Sequence, residues 1–475
     1  MGMNRRKFLA NASIALGLCP CARSATLFIS DSPSGSPTSA ESRWVTLDAQ
    51  LRGQWAADTS RATESEIRKD ESQELLFLPF PYVSPTAPGS VYRFMFGWDT
   101  DFISRALIAH GMLEQARNHI LNYVFMIDRY GYMPNANAVG GITRSQTPLI
   151  ADTIWRYYLK TGDRDLLHEA FPRLKHNYEG YWNASHHQTP IGLATNRDLG
   201  DSSLPPELAA EAEVGVDWTP IFGGDVRRCV PLVTNCALVR YARCLSKIAN
   251  SLGESKEARL YSEAASRRAA LIRRYCWSQE AGFFLEYDFV SGKQLPCKSD
   301  CAFWTLWAAV ATPAQASALV SALRSIEYPF GLASTDRAYP LPRPESDYGP
   351  ACRLSPDGLD NPKKQITDAI GGENPLQWMY PAGWAPSHMI AVEGFDNYNF
   401  SSEATRIASK FLGLMMHQYE ETGHFWEKYN VVDGSIQLPN ARCGNIWMRG
   451  WTAAAVALLG RRVFKNERLL PGSRE

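Results

Sequence analysis

From Asp101 to Phe125 the apolar residues Phe102, Ile103, Ala106, Leu107, Met112, Leu113, Ala116, Ile120, Leu121 and Val124 recur at three- and four-residue spacing. That period belongs to a helix with one buried face. Further on, Thr147 and Pro148 read as an N-cap and a first-turn proline, with Gly162 as the stop. The same grammar returns over 165–182, 231–252, 255–276, 300–311, 313–326, 386–395, 402–421 and 449–464. Strand-like stretches are few, "GFFLEYDF" around Phe284 being one, and residue Asp99 reads as a cap for a helix starting at Thr100. So many amphipathic helices joined by alternating short turns and long loops predict an all-α fold, an (α/α)6 barrel of six helical hairpins closed on themselves. An open solenoid is the alternative, and the lack of a 20-to-50-residue sequence repeat counts against it.

Lysine plus arginine and aspartate plus glutamate both number 49, so no basic field exists to attract nucleic acid or an anionic membrane. The N-terminus reads "MGMNRRKFLANASIALGLCPCARSA", a basic start, a short apolar run and small residues. The run is too short to span a membrane and has the layout of a cleaved export signal. Arg5, Arg6, Phe8 and Leu9 resemble a twin-arginine signal, which predicts a periplasmic or secreted bacterial protein with no stable membrane anchor. Cys19 and Cys21 lack the small residue that a lipoprotein cysteine wants before it. The expected organisation is a signal over 1–25, a serine- and proline-rich linker over 26–42 and one barrel domain over 43–468. Cys297 and Cys301 in "CKSDC" have no histidine at zinc-ligand spacing, so no metal is expected, although a disulfide between them is open.

The long loops carry the chemistry. They are "APGSVYRFMFGWDTD", "YGYMPNANAVGGITRSQTP", the stretch 195–225, the stretch from Tyr328 through "NPLQWMYPAGWAP", and "HFWEKYNVVDGS". Each mixes tryptophan or tyrosine with carboxylates, amides or arginine. That mixture suits a small carbohydrate, whose ring faces stack on aromatics while its hydroxyls take polar bonds.

"QWMYPAGWAP" resembles the second trehalase motif, QWDxPxGWAP, and "PGSVYRFMFGWDTDF" resembles the first, PGGRFxExYxWDxYF. "GYMPNAN" with "TRSQTP", "AEVGVDWT", "WEKYN" and "RGWTAA" follow other family blocks in the same order, from about residue 80 to 460. The resemblance is to glycoside hydrolase family 37, related to family 63. It implies an (α/α)6 barrel, inverting hydrolysis of an α-glycosidic bond and no cofactor. Carried over, Asp217 would be the general acid and Glu427 the general base. An inverting pair needs one protonated carboxyl for the leaving oxygen and one ionised carboxylate for the water. Val216 and Trp218 flank Asp217 with apolar surface, a setting that raises a carboxyl's pKa. Trp98, Asp99, Asn135, Asn137, Arg144, Gln146 and Gln377 would bind the sugar, and Trp378, Trp384 and Trp426 would wall it.

Several positions depart from the family. Val91 and Phe94 replace an arginine and a glutamate, Met379 an aspartate and Asn430 another aspartate, and no R-P-E-S block precedes Asp217. "RPES" occurs only at Arg343–Ser346, in a different loop. The expected protein is therefore an exported monomer acting on a small α-linked glucoside, with trehalose the leading substrate. Another disaccharide or a glycosyl-glycerate, or sugar binding without hydrolysis, are the alternatives.

Overall fold

Small and apolar residues fill Gly97–Ala109, Ala385–Asn397 and Gly450–Phe464 on nearly every side, and nearly every residue in them is buried. Helices of that kind cannot lie on a surface. The computed structural model describes residues 39–86, 92–200, 204–348, 374–439 and 445–469. In chain order its helices are α1 (Ser39–Ala57), α2 (Glu64–Lys69), α3 (Gly97–Ala109), α4 (Leu113–Tyr130), α5 (Ile150–Thr161), α6 (Arg164–His176), α7 (Pro206–Val214), α8 (Leu232–Leu252), α9 (Ser255–Cys276), α10 (Trp304–Trp307), α11 (Pro313–Ser321), α12 (Ala385–Asn397), α13 (Ser401–Thr422) and α14 (Gly450–Phe464).

Helices α3, α5, α8, α10, α12 and α14 touch one another in that order, and α14 returns to α3 to close a ring. Outside it, α4, α6, α9 and α13 each pack on the inner helix that precedes them, and α1 packs on α14. This is the expected (α/α)6 barrel, with paired strands of only two or three residues between helices. Glycine makes the α1–α14 contact: a Cβ on Gly460 would fall 1.8 Å from Trp44 Nε1. That same indole donates to the Val456 carbonyl at 3.0 Å.

Helix boundaries moved where a local contact outweighed a cap. The pattern read as one helix over 101–125 is two, broken at Gly111, whose φ is +73°. α3 starts at Gly97, so Asp99 is no cap for a helix at Thr100; it sits buried in the first turn. Thr147 does not cap α5, because its hydroxyl donates to the Val214 carbonyl. Gly162 does end α5, in the left-handed conformation. The linker expected to run to residue 42 gives way to helix at Ser39, since Trp44, Leu47, Leu51 and Trp55 bury one face of α1. The expected signal over 1–25 lies outside the described residues. Cys297 and Cys301 are buried free thiols.

The inner ring is clamped by charge. Arg105 Nε donates to Asp101 Oδ2 at 2.7 Å, and its Nη1 reaches Glu393 Oε2 at 3.2 Å. Arg156 donates to Asp152 Oδ2 at 2.6 Å and to Glu393 Oε2 at 2.7 Å, while Arg240 donates to Asp152 Oδ1 at 2.8 Å. These groups come from α3, α5, α8 and α12, so the network ties four inner helices together. Three guanidinium groups face three carboxylates, and the balance keeps each charge paired in the interior. Burial works against the charge on Asp152, but the three arginines hold its pKa far below the ordinary carboxylate range.

One buried acid has no such support. Glu286 Oε2 accepts the Leu232 N–H at 2.8 Å, and Oε1 has no partner. Burial pushes its pKa up to about 8. The folded chain therefore keeps a proton there that the unfolded chain releases near its ordinary value of 4.5. The stabilisation is full below that value and is lost as pH rises through about 8. Glu286→Gln, which keeps an acceptor and cannot ionise, is expected to flatten the decline in stability over this window. Urea titrations of both proteins across that pH range provide the measurement.

Candidate active site

The pocket lies where inner helices begin. Trp98 and Asp99 enter it from the first turn of α3, Trp384 from the residue before α12, and Trp451 from the first turn of α14. The N–H-rich ends of helices carry partial positive charge, a surrounding that suits carboxylates. The cavity measures about 160 Å³, below the roughly 300–1,000 Å³ of common small-molecule pockets.

Both expected catalytic carboxylates line this one pocket, together with Trp98, Asp99, Asn135, Gln146, Gln377, Trp378 and Trp384. The segment 377–384 brings them together. At one end, the Gln377 N–H donates to the Trp218 carbonyl at 2.8 Å, the Thr219 hydroxyl donates to the Trp378 carbonyl at 2.9 Å, and Gln377 Nε2 donates to Asp217 Oδ2 at 3.2 Å. At the other end, Ala382–Trp384 pairs antiparallel with Lys428–Asn430, placing Glu427 at the edge of that ladder. Gly383 is required there, because a Cβ would fall 2.3 Å from Val431 Cγ1 and 2.7 Å from the Leu332 carbonyl. The rings of the segment form a block: Trp378 and Trp384 stack at 3.9 Å and 6°, while Trp451 meets Trp98 and Trp384 edge-on at 5.8 and 6.0 Å.

Each carboxylate has a distinct setting. Glu427 Oε2 accepts from Lys428 Nζ, and that fully buried ammonium also sits 4.9 Å from the Trp384 ring centroid. Asp217 stands between buried Val216 and Trp218 at the end of α7, and Trp218 is held in the left-handed region at φ 54°. Glu211 fixes that turn, its Oε2 accepting the Trp218 N–H at 3.0 Å. Burial, and then the charge of Asp217, push the Glu211 carboxyl well above the usual range. Burial, with a further contribution from Glu427, raises Asp99 likewise.

Glu213 anchors the approach to Asp217 from behind. Its carboxylate accepts the N–H groups of Ser145 at 3.2 Å and Arg197 at 2.9 Å, His187 Nε2 at 2.9 Å, Asn196 Nδ2 at 3.1 Å and the Tyr181 hydroxyl. Burial alone would raise its pKa, but His187 and these donors lower it. The loops around residues 145 and 196 are thereby tied to α7.

Three expected substrate binders do not line the cavity. Asn137 Oδ1 accepts the Met95 N–H at 2.7 Å and its Nδ2 donates to the Leu76 carbonyl at 2.9 Å, which fastens two backbone segments. Arg144 pairs with Asp198 at 2.7 Å. Trp426 donates to Thr422 Oγ1 at 3.1 Å and meets Trp447 edge-on. Conversely, Tyr92, Phe96, Met448 and Trp451 line the pocket without having been assigned to it. Trp451 lies inside "RGWTAA", a block matched to the family, so its signal was present. Met379 belongs to an apolar cluster with Leu208, Trp218, Tyr348 and Leu376, and its sulfur accepts the Tyr339 N–H at 3.2 Å. Its substitution for aspartate is thus a packing change under the Asp217 turn. Arg343 of "RPES" pairs with Asp347 at 2.9 Å and reaches Glu207 of α7 at 3.4 Å, so a distant loop lies against the helix that leads to Asp217.

Fold and pocket together define a six-hairpin toroid of the glycosidase type. Within that class the chain belongs to the Trehalase family, whose model matches residues 34–217, 210–340 and 361–451. It is 27% identical over 76% of its length to a probable trehalase of Eremothecium gossypii and 26% identical over 73% to a cytosolic neutral trehalase of Neurospora crassa. It covers 53% and 52% of those proteins, about half the length of each. Among solved structures, neutral trehalase Nth1 from Saccharomyces cerevisiae superposes with a TM-score of 0.64 at 23% identity, covering 85% of this chain and 80% of that one. A GH63 mannosylglycerate hydrolase from Thermus thermophilus gives 0.58 at 16% identity, covering 88% and 99%, a likeness of fold.

These relatives correct one expectation. Proteins similar to this chain from Neurospora crassa, Emericella nidulans and Saccharomyces cerevisiae are named cytosolic, which overturns the periplasmic or secreted location and the twin-arginine export route. The export reading rested on the basic, apolar and small residues of 1–25 and on the twin-arginine resemblance of Arg5, Arg6, Phe8 and Leu9, and those residues lie outside the described ones. No helix among the described residues is long and apolar enough to cross a membrane.

Proposed function

We propose that this chain hydrolyses a small α-linked glucoside with inversion, α,α-trehalose being the leading substrate. The observation that carries the reading is the pair of carboxylates, Asp217 and Glu427, in one tryptophan-walled cavity. Asp217, in its protonated form, gives its proton to the glycosidic oxygen. Glu427, beside Lys428, takes a proton from a water that attacks the anomeric carbon from the opposite face. A separation of roughly 6.5–9.5 Å between such carboxyls leaves room for that water. Asp99, Asn135, Gln146 and Gln377 bond the hydroxyls of the ring, and Trp378, Trp384 and Trp98 cover its apolar faces. Asn137, Arg144 and Trp426 act from behind, holding the loops that present these groups.

A glycosyl-glycerate fits less well. Its carboxylate needs a cation, and among the described residues the lining offers three acids and no arginine or lysine. Incubating the purified full chain with trehalose, other α-linked glucose disaccharides and glucosylglycerate separates the readings. Glucose from trehalose is the expected product; turnover confined to glucosylglycerate would replace this substrate assignment by the other.

A further inference from the structure

Gln377 touches the acid as well as the cavity. Its N–H donates to the Trp218 carbonyl at 2.8 Å, and the Thr219 hydroxyl donates to the Trp378 carbonyl at 2.9 Å. These bonds hold residues 377 and 378 against 218 and 219, directly after Asp217. In that register Gln377 Nε2 donates to Asp217 Oδ2 at 3.2 Å, and Gln377, only 8% exposed, lines the pocket beside it. Stacking of Trp378 on Trp384 at 3.9 Å stiffens the segment that carries it. A protonated carboxyl keeps its proton on one oxygen and accepts at the other. A donor on Oδ2 therefore favours the proton on Oδ1.

We infer that Gln377 is a positioning residue for the acid, its amide N–H holding Asp217 Oδ2 so that the proton meant for the glycosidic oxygen sits on Oδ1. The inference rests on the reading of Asp217 as the acid. As the bond from the anomeric carbon to the leaving oxygen breaks, that oxygen takes the electron pair and the Oδ1 proton. Negative charge then develops on the carboxylate, and the bond from Gln377 strengthens as it does. The amide has a second N–H and an oxygen, enough to bond a ring hydroxyl at the same time.

α-Glucosyl fluoride separates proton delivery from sugar binding. It places the same glucosyl ring in the pocket, but fluoride departs without a proton from the acid. A lost ring contact or a loosened fold lowers kcat/KM for both substrates, whereas a misplaced proton lowers it for trehalose alone. Gln377→Met in the full chain keeps the length and removes the donor. The ratio of kcat/KM for α,α-trehalose to that for α-glucosyl fluoride is expected to fall about three- to tenfold, the size of one hydrogen bond. Gln377→Glu, whose carboxylate cannot donate, should move the ratio the same way and serves where circular dichroism finds the methionine variant unfolded. A ratio within about twofold of the parent's would reduce Gln377 to a sugar contact and overturn the inference. Asp217→Asn, run alongside, separates the two levels. If it leaves the ratio unmoved, Asp217 is not the acid and the inference falls with it; if it lowers the ratio while the Gln377 variants do not, the inference alone falls.

Discussion

Asp217→Asn is expected to lower kcat for α,α-trehalose by about two to four orders of magnitude, the contribution of a positioned acid. The substitution is nearly isosteric. Its amide oxygen still accepts from Gln377 Nε2, which reaches Asp217 Oδ2 at 3.2 Å. Stability should therefore be nearly unchanged while the proton is gone. The pairing of lost turnover with an intact thermal transition identifies the acid; a variant retaining more than about a tenth of parental kcat would remove Asp217 from that role. Glu427→Gln is expected to lose turnover as well, but less cleanly, because it strips the fully buried Lys428 of its partner.

The largest expected effect on stability is far from the chemistry. Glu393→Ala should destabilise the fold by about 3–5 kcal/mol, since breaking a buried ion pair strands the remaining charge. Glu393 accepts from Arg105, Arg156 and Arg240, all in or near the centre of the inner ring. Without it, three guanidinium groups share two carboxylates, Asp101 and Asp152, in an interior with little water. Equilibrium urea unfolding is the measurement. A loss under about 1 kcal/mol would mean that these helices are held by apolar packing and that the network is structurally idle.

Much of this fold is written in helical period. The outer helices have one apolar face, and their ranges follow the sequence pattern closely: 255–276 is helical from end to end. Three inner helices, α3, α12 and α14, are instead buried on nearly every side, as in "GWTAAAVALLG" of α14. What the pattern hid were ends fixed by distant contacts. Thr147 bonds Val214 instead of capping a helix, and only the folded chain brings those residues together.

Asp217, Glu427, Trp98, Trp378 and Trp384 were legible because family motifs carry them, whereas Trp426 does not line the cavity and the unassigned Trp451 does; the polar residues were less legible still. An asparagine or arginine in a motif has the same letter whether it faces a sugar or fastens a loop. Asn135 faces the cavity, whereas Asn137, two residues on, bonds Met95 and Leu76. Glu211 and Glu213 were invisible as supports, since their partners Trp218, His187, Asn196 and Ser145 lie on the same turn or on separate loops. Met379, which departs from the motif's aspartate, packs with Leu208, Trp218, Tyr348 and Leu376, a placement that its letter alone does not show.

Whether Asp217 and Glu427 act as an inverting pair on an α-glucoside is read from proton NMR of the purified full chain with α,α-trehalose, recorded before mutarotation. One β-glucose, from the ring attacked by water, and one α-glucose, from the leaving group, are expected for every bond broken. Two α-glucose molecules per bond, or no hydrolysis of trehalose by the folded protein, would contradict the inverting pair.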